Sequence, residues 1–150
     1  ISIATLDDAI ARHIEPTVAP PRQRLRAVRA LADARIRVGV AVAPVLPDLT
    51  DDAASLAAVV QAAADAGASH VWHSALNLGA ITRDAYFAFL EATRPQLVER
   101  YMRLFRRGRY AEPRYVREVA ERVHAACRAT RFERHRPLER DRSCSQLTLL

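Results

Sequence analysis

Lysine is missing from this chain altogether: its 23 basic side chains are all arginine. Arginine grips phosphate in a planar fork that lysine cannot match. The simpler account is a GC-rich coding bias, since alanine and arginine are abundant together. Cysteine is nearly absent. Cys127 and Cys144 stand too far apart for a metal-binding spacing, and two cysteines make no disulfide framework, so a reducing, cytoplasmic setting is expected. No apolar run approaches the ~20 residues of a membrane span, which argues against a membrane partner. The opening ISIATLDD lacks the layout of a signal peptide. It also lacks an initiator Met and begins as if in mid-strand, which reads as a fragment. The signatures GxGxxG, Walker loop, GxSxG and zinc finger are absent too.

What is present suits one folded domain. Half the 150 residues are hydrophobic and 27% are charged, a balance that can bury a core. The net charge of +6 is uneven. Residues 1–99 are close to balanced, whereas 100–142 are dense in arginine, so any acidic partner is expected there.

The periodicity predicts an order β, α, β, α, β and then helices only. Residues 1–4 alternate like the end of a strand. A short helical or irregular stretch stops at Pro16, and Pro21 opens a helix to about Ala34. Leu25, Val28, Leu31 and Ala32 form its apolar stripe, with Arg22, Arg26 and Arg29 off it. IRVGVAVAPVLP reads as a parallel strand. Ile36, Val38, Val40 and Val42 are its bulky side; Gly39, Ala41 and Ala43 are its small side, where a ligand would find room. Thr50 and Asp51 are candidate caps of a third helix that ends at Gly67. Residues 69–76 form the third strand. Thr82, Pro95 and Pro113 then start three further helices. Alternation of this kind implies right-handed parallel crossovers.

Candidate chemistry is thin. His70 and His73, three apart on a strand, face opposite ways and cannot share a metal; His13, His124 and His135 have no clustered partners. Asp7, Asp8, Asp48, Asp51 and Asp52 read as caps. Ser2 and Thr5 sit at the end of a parallel strand, where barrels place ligand contacts. Arg103, Arg106, Arg107 and Arg109, interleaved with Phe105 and Tyr110, make a basic patch suited to nucleic-acid phosphate and base stacking. The competing reading is a set of cations complementing a helix C-terminus.

One set of ordered motifs says more. An S-I-x-T-x-D run holds Ser2, Thr5 and Asp7. Glu15-Pro16 follows, then a proline-containing loop, then R-L-x-A-V beginning at Arg24-Leu25. A P-x-x-P-x-x-x-D turn comprises Pro44, Pro47 and Asp51, and the chain closes on QLTLL. The order resembles that of the radical S-adenosylmethionine (AdoMet) proteins related to spore photoproduct lyase, the DNA repair photolyase-like group, over most of residues 1–110. The resemblance implies an α/β fold, the C-terminal half of a partial (βα)6 TIM-like barrel with parallel strands, followed by C-terminal helices. On that reading residues 1–80 are barrel, 81–130 a helical extension and 131–150 a flexible arginine-rich tail.

The resemblance also implies an enzyme in which a [4Fe-4S] cluster on a C-x3-C-x2-C loop reductively cleaves AdoMet to a 5′-deoxyadenosyl radical, in nucleic-acid repair or modification. The cluster cysteines would belong to a missing N-terminal barrel half, the partner this chain would need. AdoMet contacts would fall to Ser2 and Thr5, with Arg24 or Glu15 bracing that end and Ala43, Pro44 and Val45 near the adenine. The chain departs from the group's pattern at Ala34-Arg35-Ile36, where Ala-Gly-Ile is usual, and at Leu76-Asn77-Leu78-Gly79, where L-R-L-P is usual. The alternative function is a non-catalytic, arginine-rich nucleic-acid-binding module.

Overall fold

A computed structural model describes residues 1–130 and Phe132. The expected tail, Phe132 apart, therefore lies outside the described residues, and so do Cys144 and the closing QLTLL. The described elements run α1 (Asp8–Ile14), α2 (Pro21–Asp33), β1 (Gly39–Val45), α3 (Ala53–Asp65), β2 (His70–Ala75), α4 (Ala80–Thr93), α5 (Pro95–Leu104) and α6 (Pro113–Arg128).

Local chemistry accounts for most of these boundaries. The Asp7 carboxylate accepts from the Ala9 and Ile10 amides and starts α1. Proline opens α2, α5 and α6, where the amide it lacks has no helical partner anyway. Gly67, at φ 90°, takes the left-handed position that ends α3, and a Cβ there would also meet Ala32 of α2 at 2.7 Å. Of the candidates Thr50, Asp51 and Asp52, it is Asp52 that starts α3, by accepting from the Ser55 amide.

Gly39–Val42 pair in parallel with His70–His73, and the register shifts before Val45 meets Ala75. A parallel bridge between Ser2 and Ala41 adds the N-terminal segment on the other edge of β1. The bulky side of β1 is covered as expected: Val38, Val40 and Val42 are buried in one core with Leu56, Val59 and Val60 of α3 and Val119 and Val123 of α6. Ile36 is the exception, standing exposed ahead of the strand.

The barrel expectation is overturned. The described residues make a small α/β fold of six helices around a two-stranded parallel sheet, not half of a partial (βα)6 barrel. Residues 1–4 contribute the Ser2–Ala41 bridge, with Ile1 and Ile3 bonded to Gly39 and Ala41, and the chain then turns at Thr5, whose hydroxyl accepts from the Asp7 amide at 3.0 Å. Beyond β2, Asn77 bridges antiparallel to Tyr110, and helices follow. Barrel closure needs many tilted, staggered strands, and two strands with α3 and α6 stacked together on one side cannot supply it.

Candidate functional site

The residues that the motifs singled out near the N-terminus converge. Arg24 is buried in the first turns of α2. Its guanidinium donates to the Ala19 carbonyl at 2.6 Å and the Ser2 carbonyl at 3.0 Å, and pairs with Glu15 at 2.7 Å. A planar fork reaching three acceptors at once is a task for arginine rather than lysine. Ser2 itself is exposed, whereas Thr5 is buried with its hydroxyl occupied by the turn.

The loop after β1 is tied by its own turns and from α5 and α6. The Thr50 hydroxyl accepts from the Leu46 amide at 2.9 Å, and the Asp51 carboxylate accepts from the Asp48 amide at 2.9 Å. Asp48 adopts φ 57°, a left-handed conformation that aspartate tolerates better than most residues. From α5, Arg100 pairs with Asp48, and the buried Tyr101 phenol donates to the Pro47 carbonyl at 2.8 Å. Tyr86 of α4 reaches the Tyr101 oxygen at 3.2 Å. From α6, Arg122 donates to the Asp51 carbonyl at 2.8 Å, and the buried Tyr115 phenol lies against the same aspartate. Burial pushes the Tyr101 and Tyr115 phenols above the usual tyrosine range, with the neighbouring hydroxyl of Tyr86 and carboxylate of Asp51 adding to it respectively. Tyr101 donates from the neutral phenol, whereas the Tyr115 hydroxyl has no hydrogen-bond partner among the described residues. Of the three expected adenine neighbours, Val45 is fully buried, while Ala43 and Pro44 are half-buried, joined by a cis peptide bond.

The small side of β1 offers less room than its sequence suggests. The His70 ring lies over Gly39, so close that a Cβ there would fall 2.2 Å from Nε2. Ala41 is buried as well. Trp72, paired with Ala41, stands half exposed on β2.

Most of the C-terminal arginine patch is occupied internally. Arg103 pairs with Glu99, Arg106 pairs with Glu112 at 2.8 Å, and Arg109 donates to the Asn77 side chain at 2.9 Å while covering the Tyr110 ring. Arg106 holds the Glu112 carboxyl below its usual range. Phe105 is fully buried and stacks on Tyr101, so it belongs to the core rather than to a base-stacking surface. Only Arg107 of the four is exposed with no hydrogen bond or ion pair of its own among the described residues.

The histidines hold a surprise. His73 and His124 meet edge to face, ring centroids 5.6 Å apart, joining β2 to α6. Sequence spacing could not reveal this, because the partners are 51 positions apart. Burial, reinforced by His124, holds the His73 pKa below its ordinary value. The unfolded chain therefore binds a proton more readily than the fold does, so stability falls as pH drops below about 6.5. The carboxylates held low, Asp52 and Glu112, act only at still lower pH. Thermal melts between pH 7.5 and 5 are expected to show a falling Tm, and His73→Phe should flatten that slope; an unchanged slope in the variant would refute the assignment. The described residues contain no group of three or more His, Cys, Asp or Glu placed to hold a metal ion, and burial pushes the Cys127 thiol up, away from the reactive thiolate. A cleft of about 180 Å³ between α1 and α4, lined by Ile10, His13, Phe89 and Arg94, is mostly apolar.

The chain is 37% identical over 123 residues to uncharacterized proteins of Mycobacterium tuberculosis and Mycobacterium bovis, covering 82% of this chain and 36% of each relative. An uncharacterized protein of the Acidianus two-tailed virus is 35% identical over 83 residues, 51% of this chain and 27% of the relative. The chain thus spans little more than a third of the length of the mycobacterial relatives it matches. No family model matches it, and no solved structure matches it significantly. No described helix is long and apolar enough to cross a membrane.

Proposed function

We propose that this chain is one portion of a longer radical AdoMet enzyme and supplies AdoMet contacts at the C-terminal ends of its parallel strands. One observation carries the reading. Ser2, Glu15 and Arg24, which belong to three separate motifs of the resemblance, are joined by a single buried guanidinium. Parallel α/β sheets bind ligands at the carboxyl ends of their strands, and the loop after β1 is held rigid there by α5 and α6.

The residues fit AdoMet in part. Ser2, Ala43 and Pro44 are accessible to a ligand, with Glu15 and Arg24 as the brace behind them; the Thr5 hydroxyl and the Val45 side chain are already committed. The described residues do not fit an iron–sulfur cluster, since no ligand group of the required kind is assembled among them. A cluster would be bound elsewhere in the longer protein. A cytoplasmic setting accords with this reading, because such clusters need reducing conditions. The alternative, a nucleic-acid module centred on Arg103, Arg106, Arg107 and Arg109, is disfavoured by the pairing of three of those side chains.

Anaerobic iron–sulfur reconstitution of the longer parent, followed by an assay for 5′-deoxyadenosine, tests the proposal. The expected result is reductant-dependent formation of 5′-deoxyadenosine by the parent. A parent without a C-x3-C-x2-C motif, or one that carries a reconstituted cluster yet forms no 5′-deoxyadenosine, would overturn it.

A further inference from the structure

The cleft of about 180 Å³ beside α1 is lined by none of the residues proposed to contact AdoMet. Its apolar lining comes from three places. Ile10 and Ile14 belong to α1, Leu49 to the loop after β1, and Phe89 to α4. All four are half-buried, so the apolar surface they leave uncovered is gathered around one space. The His13 ring stands against the Phe89 ring, centroids 6.1 Å apart. The position is informative. Asp7 follows the N-terminal segment, Leu49 follows β1, and those two segments run parallel. The cleft therefore lies at the carboxyl ends of the strands, where parallel α/β folds take ligands.

Two basic side chains line the same space. Arg94 stands at the junction of α4 and α5 and forms no ion pair among the described residues. Its guanidinium donates once, to the Thr93 carbonyl at 2.8 Å, and the rest of the fork is left for a ligand. His13 commits Nδ1 to the Ala9 carbonyl at 2.9 Å. A carbonyl only accepts, so Nδ1 carries the proton and Nε2 is left over. The other polar side chains of the lining are spent. Asp7, the one acid there, accepts from the Ala9 and Ile10 amides, and that helix end offsets its charge. The Thr93 hydroxyl donates to the Phe89 carbonyl at 2.7 Å. An apolar space whose open polar groups are an arginine fork and an imidazole is complementary to an apolar anion.

We propose that this cleft binds a small aromatic monocarboxylate, its ring among Ile10, Ile14, Leu49 and Phe89 and its carboxylate on the Arg94 guanidinium. The volume sets the size. It lies below the ~300 Å³ at which sites for drug-sized ligands begin, so neither a nucleoside nor a long acyl chain fits. It exceeds the ~150 Å³ of Leu, Ile and Phe surface that suffices for benzene, which leaves room for a short acidic arm. A flat ring also gains an offset or edge contact with Phe89 that an aliphatic acid lacks. A single carboxylate matches a single unpaired guanidinium, whereas a second one would meet Asp7. The inference is independent of the AdoMet reading, because it rests on none of the residues that would contact AdoMet.

The test is a titration of phenylacetate into the isotopically labelled whole chain, followed by amide chemical shifts. Saturable shifts are expected at Ile10, Leu49 and Arg94, with a Kd on the order of 1 mM for so small a ligand. Phenylacetamide, which keeps the shape and loses the charge, should bind about tenfold more weakly. Arg94→Gln should weaken phenylacetate by about the same factor, bringing acid and amide level. Arg107→Gln, which removes an exposed arginine elsewhere, should leave the Kd unchanged. Ala9→Trp guards against loss of folding: Ala9 is exposed at the cleft, so the larger ring should fill the space and abolish the shifts while Tm moves by no more than about 2 °C. The proposal is overturned if no saturable shift appears by about 20 mM phenylacetate, if acid and amide bind the wild type equally, or if Arg94→Gln binds as the wild type does. Shifts at Ile10 and Leu49 that grow with protein concentration alone would give the cleft to a second copy of the chain and overturn it as well.

Discussion

Replacing Arg24 with alanine is expected to lower stability by about 2–4 kcal/mol, a fall in Tm of roughly 8–15 °C for a chain of this size. The guanidinium is 9% exposed and Glu15 28% exposed, so the carboxylate left behind would recover part of its hydration and the loss should stay below that of a fully buried pair. The Ser2 and Ala19 carbonyls would lose their donor as well. Damage should spread to the N-terminal segment, whose remaining ties to β1 are the exchanges of Ile1 and Ile3 with Gly39 and Ala41. Hydrogen exchange at the Ile3 and Ala41 amides should therefore accelerate more than at Val40. Arg24→Lys keeps the charge but cannot reach three acceptors, so it should recover only a fraction of the loss. A Tm within 2 °C of wild type for Arg24→Ala would show that the three contacts are replaced by water at no net cost.

The second large effect is expected at Tyr101. Its ring is fully buried, stacked on Phe105 with centroids 5.9 Å apart and packed near Tyr86 at 5.5 Å. Tyr101→Ala should cost about 3–5 kcal/mol, as removal of a buried aromatic ring does. That is a large share of the 5–15 kcal/mol available to a typical domain, so partial unfolding at 37 °C is the expected observation. Tyr101→Phe isolates the hydroxyl. It removes the donor to the Pro47 carbonyl and the partner of the Tyr86 hydroxyl, for about 1–2 kcal/mol. Urea denaturation of both variants, with Tyr86→Phe completing a double-mutant cycle, separates ring from hydroxyl. If Tyr101→Phe proves neutral, Tyr101 serves by packing alone and the loop after β1 is held by Arg100, Arg122 and its internal turns.

Both predictions concern the same end of the molecule, approached from two sides. Arg24 ties the N-terminal segment to α2, and Tyr101 ties the loop after β1 to the C-terminal helices. A ligand at the strand ends would meet backbone already ordered before it arrives, which lowers the cost of binding.

Much of this architecture is legible from local sequence. Pro21, Pro95 and Pro113 mark helix starts, Asp7 caps α1, Gly67 ends α3, and the alternation in IRVGVAVAPV separates the covered side of β1 from the other. Each of these signals acts within about four residues, through one hydrogen bond, one dihedral or one helical turn, so it survives without knowledge of the rest of the chain. What only the tertiary structure decided is which distant groups meet. Whether the strands close into a barrel depends on how many pair, and among the described residues two do. The meeting of His73 with His124, the filling of the Gly39 space by His70, and the spending of Arg103, Arg106 and Arg109 on internal partners are of the same kind. Charge is written in the sequence, but its availability depends on the acids and acceptors that folding brings within reach.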